Sequence, residues 1–371
     1  MADNATRKVT GSVVYLYAFD LAYDMRREPL RKLLGRDVEQ YCIEPVKRMP
    51  RYMFFYCSQM AKLEPQILKT GAGEVKAQIH LQVFSIGALS IQVRLPFAID
   101  NMAELVGYHD LQLEAQSLEE YVLQLAEEAR KELLDYCIRP AETMQRQEAY
   151  TVFCMDELPR GAGVEQVSAE DWLNENRRSV AGLLTDERDS DALSRQEAWE
   201  STGLYLSYYD SELVVVDWDA ALVVGETAQL DDILQVAELA NVQLVELGAY
   251  DRLLDSSLQM AYRDLRQWKL NLRREVRRNL REMRIDLARL RDELGNISKF
   301  FGDWHLARVY QNFSARFHLN DSYRMLDAKL ATLDDLYHIL QQDRTNLLMI
   351  WLETAIVLLF IIDVVLLLLG L

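Results

Sequence analysis

The sequence predicts an α+β protein: a mixed or antiparallel sheet with helices, then a long antiparallel helical hairpin of coiled-coil character, then one C-terminal transmembrane helix. Three observations carry this. Period-two alternation of apolar and polar residues fills much of the first 228 residues. From Gln229 onward the period changes to three and four, with no proline after Pro159. The chain closes on Leu347–Leu371, 25 residues broken only by Glu353, Thr354, Asp363 and Gly370. As a helix that run would be roughly 37 Å long, against a hydrocarbon core of about 30 Å. The expected domains are therefore 1–228, 229–346 and 347–371.

The elements follow in order. Residues 11–19 (GSVVYLYAF) read as a first strand, and Asp20 to Leu34 as more helical, with Pro29 in a first turn. Residues 40–65 hold three prolines and the aromatic run RYMFFYC, which suggests a strand in irregular surroundings. Val75, Ala77, Ile79, Leu81 and Val83 alternate with polar residues, as do Leu89, Ile91, Val93 and Leu95. Joined across Ser85–Ala88, they predict a β-hairpin with one buried face. Residues 101–112 and 117–147 read as helices, the second opened by a capping box of Ser117 and Glu120. Residues 149–155 predict a strand, Ser168 caps a helix reaching about Leu184, and TDERDSD (185–191) reads as an exposed turn. A further hairpin, 202–209 with 212–218, turns at Asp210 and Ser211.

Leu265, Trp268, Leu272, Val276, Leu280, Met283, Leu287, Leu290 and Leu294 then form a heptad seam with one four-residue stutter. A break at Gly295-Asn296 precedes a second helix starting near Asp303. Its seam runs Leu319, Tyr323, Leu326, Leu330, Leu333, Tyr337, Leu340 and leads into the terminal apolar run.

Composition narrows the function. The net charge of −17 and pI near 4.8 argue against general nucleic-acid binding. Residues 263–291 oppose this, with 11 Lys/Arg against 4 Asp/Glu. Removing that +7 leaves −24 on the rest. Arg273, Arg274, Arg277, Arg278, Arg281 and Arg284 flank the seam and are the polyanion- or partner-binding candidates, for ribosomal RNA, anionic lipid or the protein's own acids. Cys42, Cys57, Cys137 and Cys154 form no CxxC pair and read as reduced thiols of a cytosolic domain. The N-terminus, MADNATRKVTG, has neither an apolar signal core nor an Arg-rich presequence. With a terminal span this predicts tail anchoring. Within the span, Glu353 and Asp363 are expensive acids, and Asp363 is expected at a helix contact.

No GxGxxG, P-loop, HExxH or GxSxG occurs, so no catalytic residue, cofactor or metal is assigned. The five histidines are scattered. Asp217 and Asp219 at a strand end, and Glu246 on a helix, are the acids on which a membrane-bound enzyme would draw.

VAELANVQLVELGAYDRLLD (236–255) resembles a segment of the family named required for meiotic nuclear division, YagE-like in bacteria. Asn241, Gln243, Leu244, Glu246, Leu247, Tyr250, Asp251, Leu254 and Asp255 match it; Gly248 and Ala249 depart from it. FSIGALSI (84–91) is similar to a strand of the same family. The resemblance implies a membrane-anchored α+β protein with a helical tail, whose eukaryotic relatives tether ribosomes and assemble into multimers. It brings no catalytic residues. The combined expectation is a non-enzymatic scaffold or tether in a bacterial inner membrane. Its N-terminal bulk lies in the cytoplasm, it self-associates through hairpin and span, and its protein partner is unknown.

Overall fold

The computed structural model describes residues 8–26, 28–41, 58–70, 73–141, 144, 147–159, 168–266, 284–285, 288 and 304–369. In order, these form β1 (Val9–Asp20), β2 (Ala22–Met25), β3 (Lys32–Leu33), β4 (Arg36–Tyr41), β5 (Ser58–Lys62), β6 (Gln66–Thr70), β7 (Gly73–Val83) and β8 (Ala88–Ile99). A 3₁₀ segment (Met102–Tyr108), α1 (Leu118–Leu133), β9 (Cys137–Pro140), β10 (Gln147–Met155), α2 (Ala169–Leu184) and α3 (Arg195–Ser201) follow. Then come β11 (Tyr205–Leu206), β12 (Leu213–Val216), β13 (Ala220–Val224), α4 (Thr227–Arg266), α5 (Trp304–Arg316) and α6 (Leu319–Leu369).

The strands build one mixed sheet in the order β11-β12-β13-β10-β1-β8-β7-β5-β4-β3, with β6 on β7, and a separate β2-β9 pair. Only β10 and β13 run parallel among these pairs; the crossover between them contains α2 and α3. One face buries Val13, Tyr15, Tyr17 and Phe19 of β1 with Ile79, Leu81, Ile91, Val93 and Phe153. The stripes of α1 (Val122, Leu125, Ala126, Ala129) and α2 (Trp172, Leu173, Val180, Leu183) join this cluster. The other face shows Val14, Leu16 and Ala18, each 0% exposed. Contacts from this face reach the first half of α4 and α5: Tyr150 meets Phe313 and Phe317 at ring distances of 5.8 and 5.0 Å.

The chain divides into two compact units: Met1–Leu247 with Leu294–Asn320, and Gly248–Glu293 with Asp321–Leu371. The first holds the sheet and its covering helices. The second is helical in its described residues, with Leu254, Ala261, Leu326, Leu330 and Leu333 buried.

Several expectations hold residue by residue. The hairpin β7-β8 forms with Leu81 opposite Ile91, Ser117 and Glu120 close a reciprocal capping box, and Ser168 caps α2. Others need correction. Asp20 to Leu34 holds β2 and β3 instead of a helix, because Leu21 and Ala22 donate their N–H groups to the Gly87 carbonyl at 2.9 and 3.0 Å. The helix expected over 117–147 stops at Leu133, and β9 takes over to pair with β2. Residues 101–112 give a 3₁₀ segment only. The second helical arm is interrupted between Arg316 and Leu319, where His318 has φ 50°. The expected break at Gly295-Asn296 and the aromatic run RYMFFYC lie outside the described residues.

The largest correction concerns the C-terminus. Among the described residues no helix is long and apolar enough to cross a membrane. This overturns the C-terminal transmembrane helix, and with it the membrane and tail-anchored reading. Glu353 and Thr354 interrupt the apolar part of α6.

Gly87 has φ +100°, and a Cβ there would stand 1.8 Å from the Ala22 carbonyl oxygen. Gly87→Ala is therefore expected to lower unfolding stability by about 2–4 kcal/mol, from left-handed strain plus backbone displacement. Urea unfolding measures it; a loss below about 0.5 kcal/mol would show that the β2 contact yields freely.

Candidate functional site

The unusual region of the first unit is the layer between α4 and the β5-β7-β8 part of the sheet. Strand β8 alternates, so Leu89, Ile91 and Val93 enter the core while Ser90, Gln92 and Arg94 occupy the opposite face. An ordinary half-buried hairpin would leave that face in water. Here it is covered: Ser90 is 0% and Gln92 9% exposed. The cover is α4, whose polar residues Asp231, Gln235 and Glu238 recur at spacings of four and three on one side of the helix.

The geometry forms a polar seam. At one end Arg94 Nη2 donates to Asp231 Oδ1 at 2.6 Å. At the other, Gln82 Nε2 donates to Glu238 Oε2 at 2.8 Å. Gln82 Oε1 in turn accepts from Ser58 Oγ at 2.9 Å, which fixes its amide. Gln82 and Ser90 are directly paired across β7 and β8, so both sit below Glu238. Glu238 is 2% exposed. Burial pushes its carboxyl up to about 7, while the Ser90 hydroxyl beside it works in the other direction. Two buried atoms of this seam, Arg94 Nε and Gln235 Oε1, complete no hydrogen bond. Burial, Lys62 and Arg94 together lower the pKa of His80, nearby on β7.

One turn beyond Glu238, the motif residues begin. Asn241 donates its Nδ2 to two strand carbonyls, Leu16 of β1 at 3.2 Å and Glu148 of β10 at 3.1 Å. Gln243 Oε1 accepts from Tyr310 of α5 at 2.6 Å. Glu246 is buried at 4% exposure. Tyr250 is half-buried. Asp251 and Asp255, in the second unit, hold Lys329 of α6 at 2.6 and 2.7 Å. Burial works against the Lys329 charge, but the two carboxylates outweigh it and raise its pKa. The motif side chains therefore join helix to sheet and helix to helix.

The remaining candidates are dispersed. Asp217 is buried and meets Arg316 Nε at 3.2 Å, while its carbonyl accepts from Tyr150 Oη at 2.9 Å. Burial raises its pKa and Arg316 opposes the rise. Among the described residues no group of three His, Cys, Asp or Glu is placed to hold a metal ion. Two described clefts are lined by Val106, Gly107, Asp110 and 186–188, and by residues of β3 to β5; neither contains Asp217, Asp219 or Glu246. Arg284 pairs with Asp334. Arg273, Arg274, Arg277, Arg278 and Arg281 lie outside the described residues, as does the side chain of Asp363. Glu353 is exposed.

Sequence reasoning passed over Glu238, Gln82, Ser90 and Gln235. The signal was present as a pair of periods: Ser-x-Gln-x-Arg on a strand, and Asp-x3-Gln-x2-Glu on a helix. Each pattern alone reads as a solvated face. Only their match indicates burial against one another.

Replacing Asn241 by Leu leaves two strand carbonyls without its amide, and should cost about 1–3 kcal/mol of unfolding stability. Chemical denaturation checks this. A neutral result would show that water replaces the amide.

The comparisons with known proteins agree on one point. The family model described as uncharacterized protein MJ0711, N-terminal domain, matches residues 10–231, from β1 into the start of α4. The chain is also similar to uncharacterized protein MJ0711 of Methanocaldococcus jannaschii, at 21% identity over 249 residues, 66% of this chain and 73% of that protein. No solved structure matches. The chain belongs to the family of the MJ0711 N-terminal domain, a domain of unknown function.

Proposed function

We propose that this protein is a non-enzymatic scaffold whose copies assemble through the apolar end of α6, leaving the sheet unit to present a binding surface. The observation behind this is the exposure of that helix end. Leu348, Trp351, Leu352, Leu359 and Phe360 are 62–74% exposed, and with Ile350, Val357 and Leu358 at 56–57% they lie on every side of the helix. A helix apolar all round is a buried helix, and an exposed apolar surface of this extent marks an association site. The occupant we assign is the same segment of other copies. Leu348, Leu352, Ala355, Leu359 and Ile362 recur at spacings of four and three, the repeat by which identical helices interlock. Such a seam sets copies side by side with their sheet units free.

The resemblance of 236–255 to the required for meiotic nuclear division family supports the same reading, since tethers of that kind form multimers. Buried, unbridged Cys137 and Cys154 are in keeping with a sheet unit that works in a reducing compartment.

A second reading is a tether that meets ribosomal RNA through the Arg-rich segment, favoured by the local +7 of residues 263–291. Against it, Arg284 already engages Asp334. RNA binding would weaken steeply with salt, by about 0.7–0.9 in log-log slope for each phosphate contact.

Sedimentation of the full chain tests the first reading. The wild type should be oligomeric at micromolar concentration, and Leu352→Lys with Leu359→Lys should reduce it to monomer while circular dichroism stays unchanged. An oligomer of unaltered size in the double variant refutes assembly through α6. If the wild type instead binds RNA at low salt and loses it on raising salt, the second reading takes its place.

A further inference from the structure

The seam between α4 and β8 has the construction of a switch. Glu238, 2% exposed, reaches across it: Gln82 Nε2 donates to its Oε2 at 2.8 Å and the Ser90 hydroxyl stands beside its carboxyl. Ionised, the carboxylate can only accept, and neither of these neutral donors carries a charge to offset its own. A proton on Glu238 removes the buried charge. Neutral Glu238 then donates to the Ser90 hydroxyl, and Gln82 still donates to Oε2.

We propose that Glu238 is a proton-operated latch: protonated, it donates to Ser90 and accepts from Gln82 and so locks α4 onto β8, and ionised, it holds a charge in a dry layer and opens that seam. The proton comes from solvent and returns to it, with no other bond changed.

The ionisable groups around the layer are Asp231 and Glu246 on α4, His80 on β7, Arg94 on β8, Lys62 on β5 and Glu148 on β10. Arg94 is engaged by Asp231 at 2.6 Å, so it does not neutralise Glu238 directly. Strand β1 contributes Val14, Leu16 and Ala18 on this face, and at its end the partly buried Asp20, opposite Ala88. The carboxyl of Glu238 stands near 7 in the folded chain against an ordinary 4.5. Its folded value is raised, so the native state holds a proton that the unfolded chain has released between those values. Stability from the latch is complete below about pH 4.5 and is lost as pH rises to about 7. His80 acts with the opposite sign, because its pKa is lowered: its contribution falls as pH drops below 6.5. A difference between wild type and a Glu238 variant removes the His80 contribution.

The test is the unfolding of the full-length protein from pH 4.5 to 8, wild type beside Glu238→Gln. A glutamine donates and accepts at the same positions without a charge. Relative to the variant, the unfolding constant of wild type should rise by up to tenfold per pH unit through this window, the mark of one proton. Above pH 7 the variant should be the more stable of the two. Amide exchange in 231–242, corrected for its intrinsic pH dependence, should speed up in wild type and not in the variant. An infrared carbonyl band of a buried carboxylic acid should be present in wild type at pH 5 and absent at pH 8, which reads the proton even if Glu238→Gln fails to fold. Parallel stability curves, or absence of the acid band at pH 5, would overturn the latch.

Discussion

From Val13 to Phe19, strand β1 has no face toward water. Val13, Tyr15, Tyr17 and Phe19 enter one core, and Val14, Leu16 and Ala18, all fully buried, face the other way. It is paired on both edges, to β8 over twelve positions and to β10 over nine. A strand buried on both faces requires a layer of helix above and below. On one side α1 and α2 meet the requirement with conventional apolar stripes. On the other, the cover is α4 and α5, and this second layer determines the rest of the unit. It explains why Asn241 reaches two strand carbonyls and why Phe313 and Phe317 pack on Tyr150.

That second layer is divided chemically. Over β10, β12 and β13 it is mainly apolar and aromatic, and its buried polar groups Asn241, Gln243 and Asp217 all have partners. Over β7 and β8 it is amide, hydroxyl and carboxyl. Burying such groups without partners costs about 1–3 kcal/mol each, more for a charge. The layer offsets this with the Ser58–Gln82–Glu238 relay and the Arg94–Asp231 pair, and still leaves Arg94 Nε and Gln235 Oε1 unserved. A surface that needs only cohesion would place Val or Leu there. Retaining a polar layer restricts α4 to one register, because a shift of one residue removes Asp231 from Arg94 and Glu238 from Gln82 together.

Much of the sheet was legible in the sequence because its strands alternate cleanly. The β7-β8 hairpin, β1, β10 and the capped starts of α1 and α2 depend on neighbours within a few residues. What sequence reasoning missed depends on distant ones. Nothing local makes Ala22–Met25 a strand; it extends because Gly87 presents its carbonyl and β9 presents an edge. The Glu238 layer was invisible for the same reason, being split between residues about 150 positions apart. The apolar C-terminus shows the reverse error. Hydropathy there suggested a membrane span, whereas among the described residues no helix is long and apolar enough to cross a membrane.

The motif of 241–255 gains a physical meaning from this division. A segment so polar on a helix invites a catalytic interpretation. Its first part instead lies within the sheet unit, where Asn241 and Gln243 end in carbonyl and hydroxyl partners. Its second part belongs to the helical unit, where Asp251 and Asp255 enclose Lys329. The change from one unit to the next falls at Leu247–Gly248. Gly248 and Ala249, the two positions that depart from the resembling pattern, stand at that junction. Alanine and glycine make few side-chain contacts, and glycine weakens a helix by about 1 kcal/mol relative to alanine. Asn241 and Gln243 therefore fasten α4 within the sheet unit, and Asp251 and Asp255 fasten it within the helical unit.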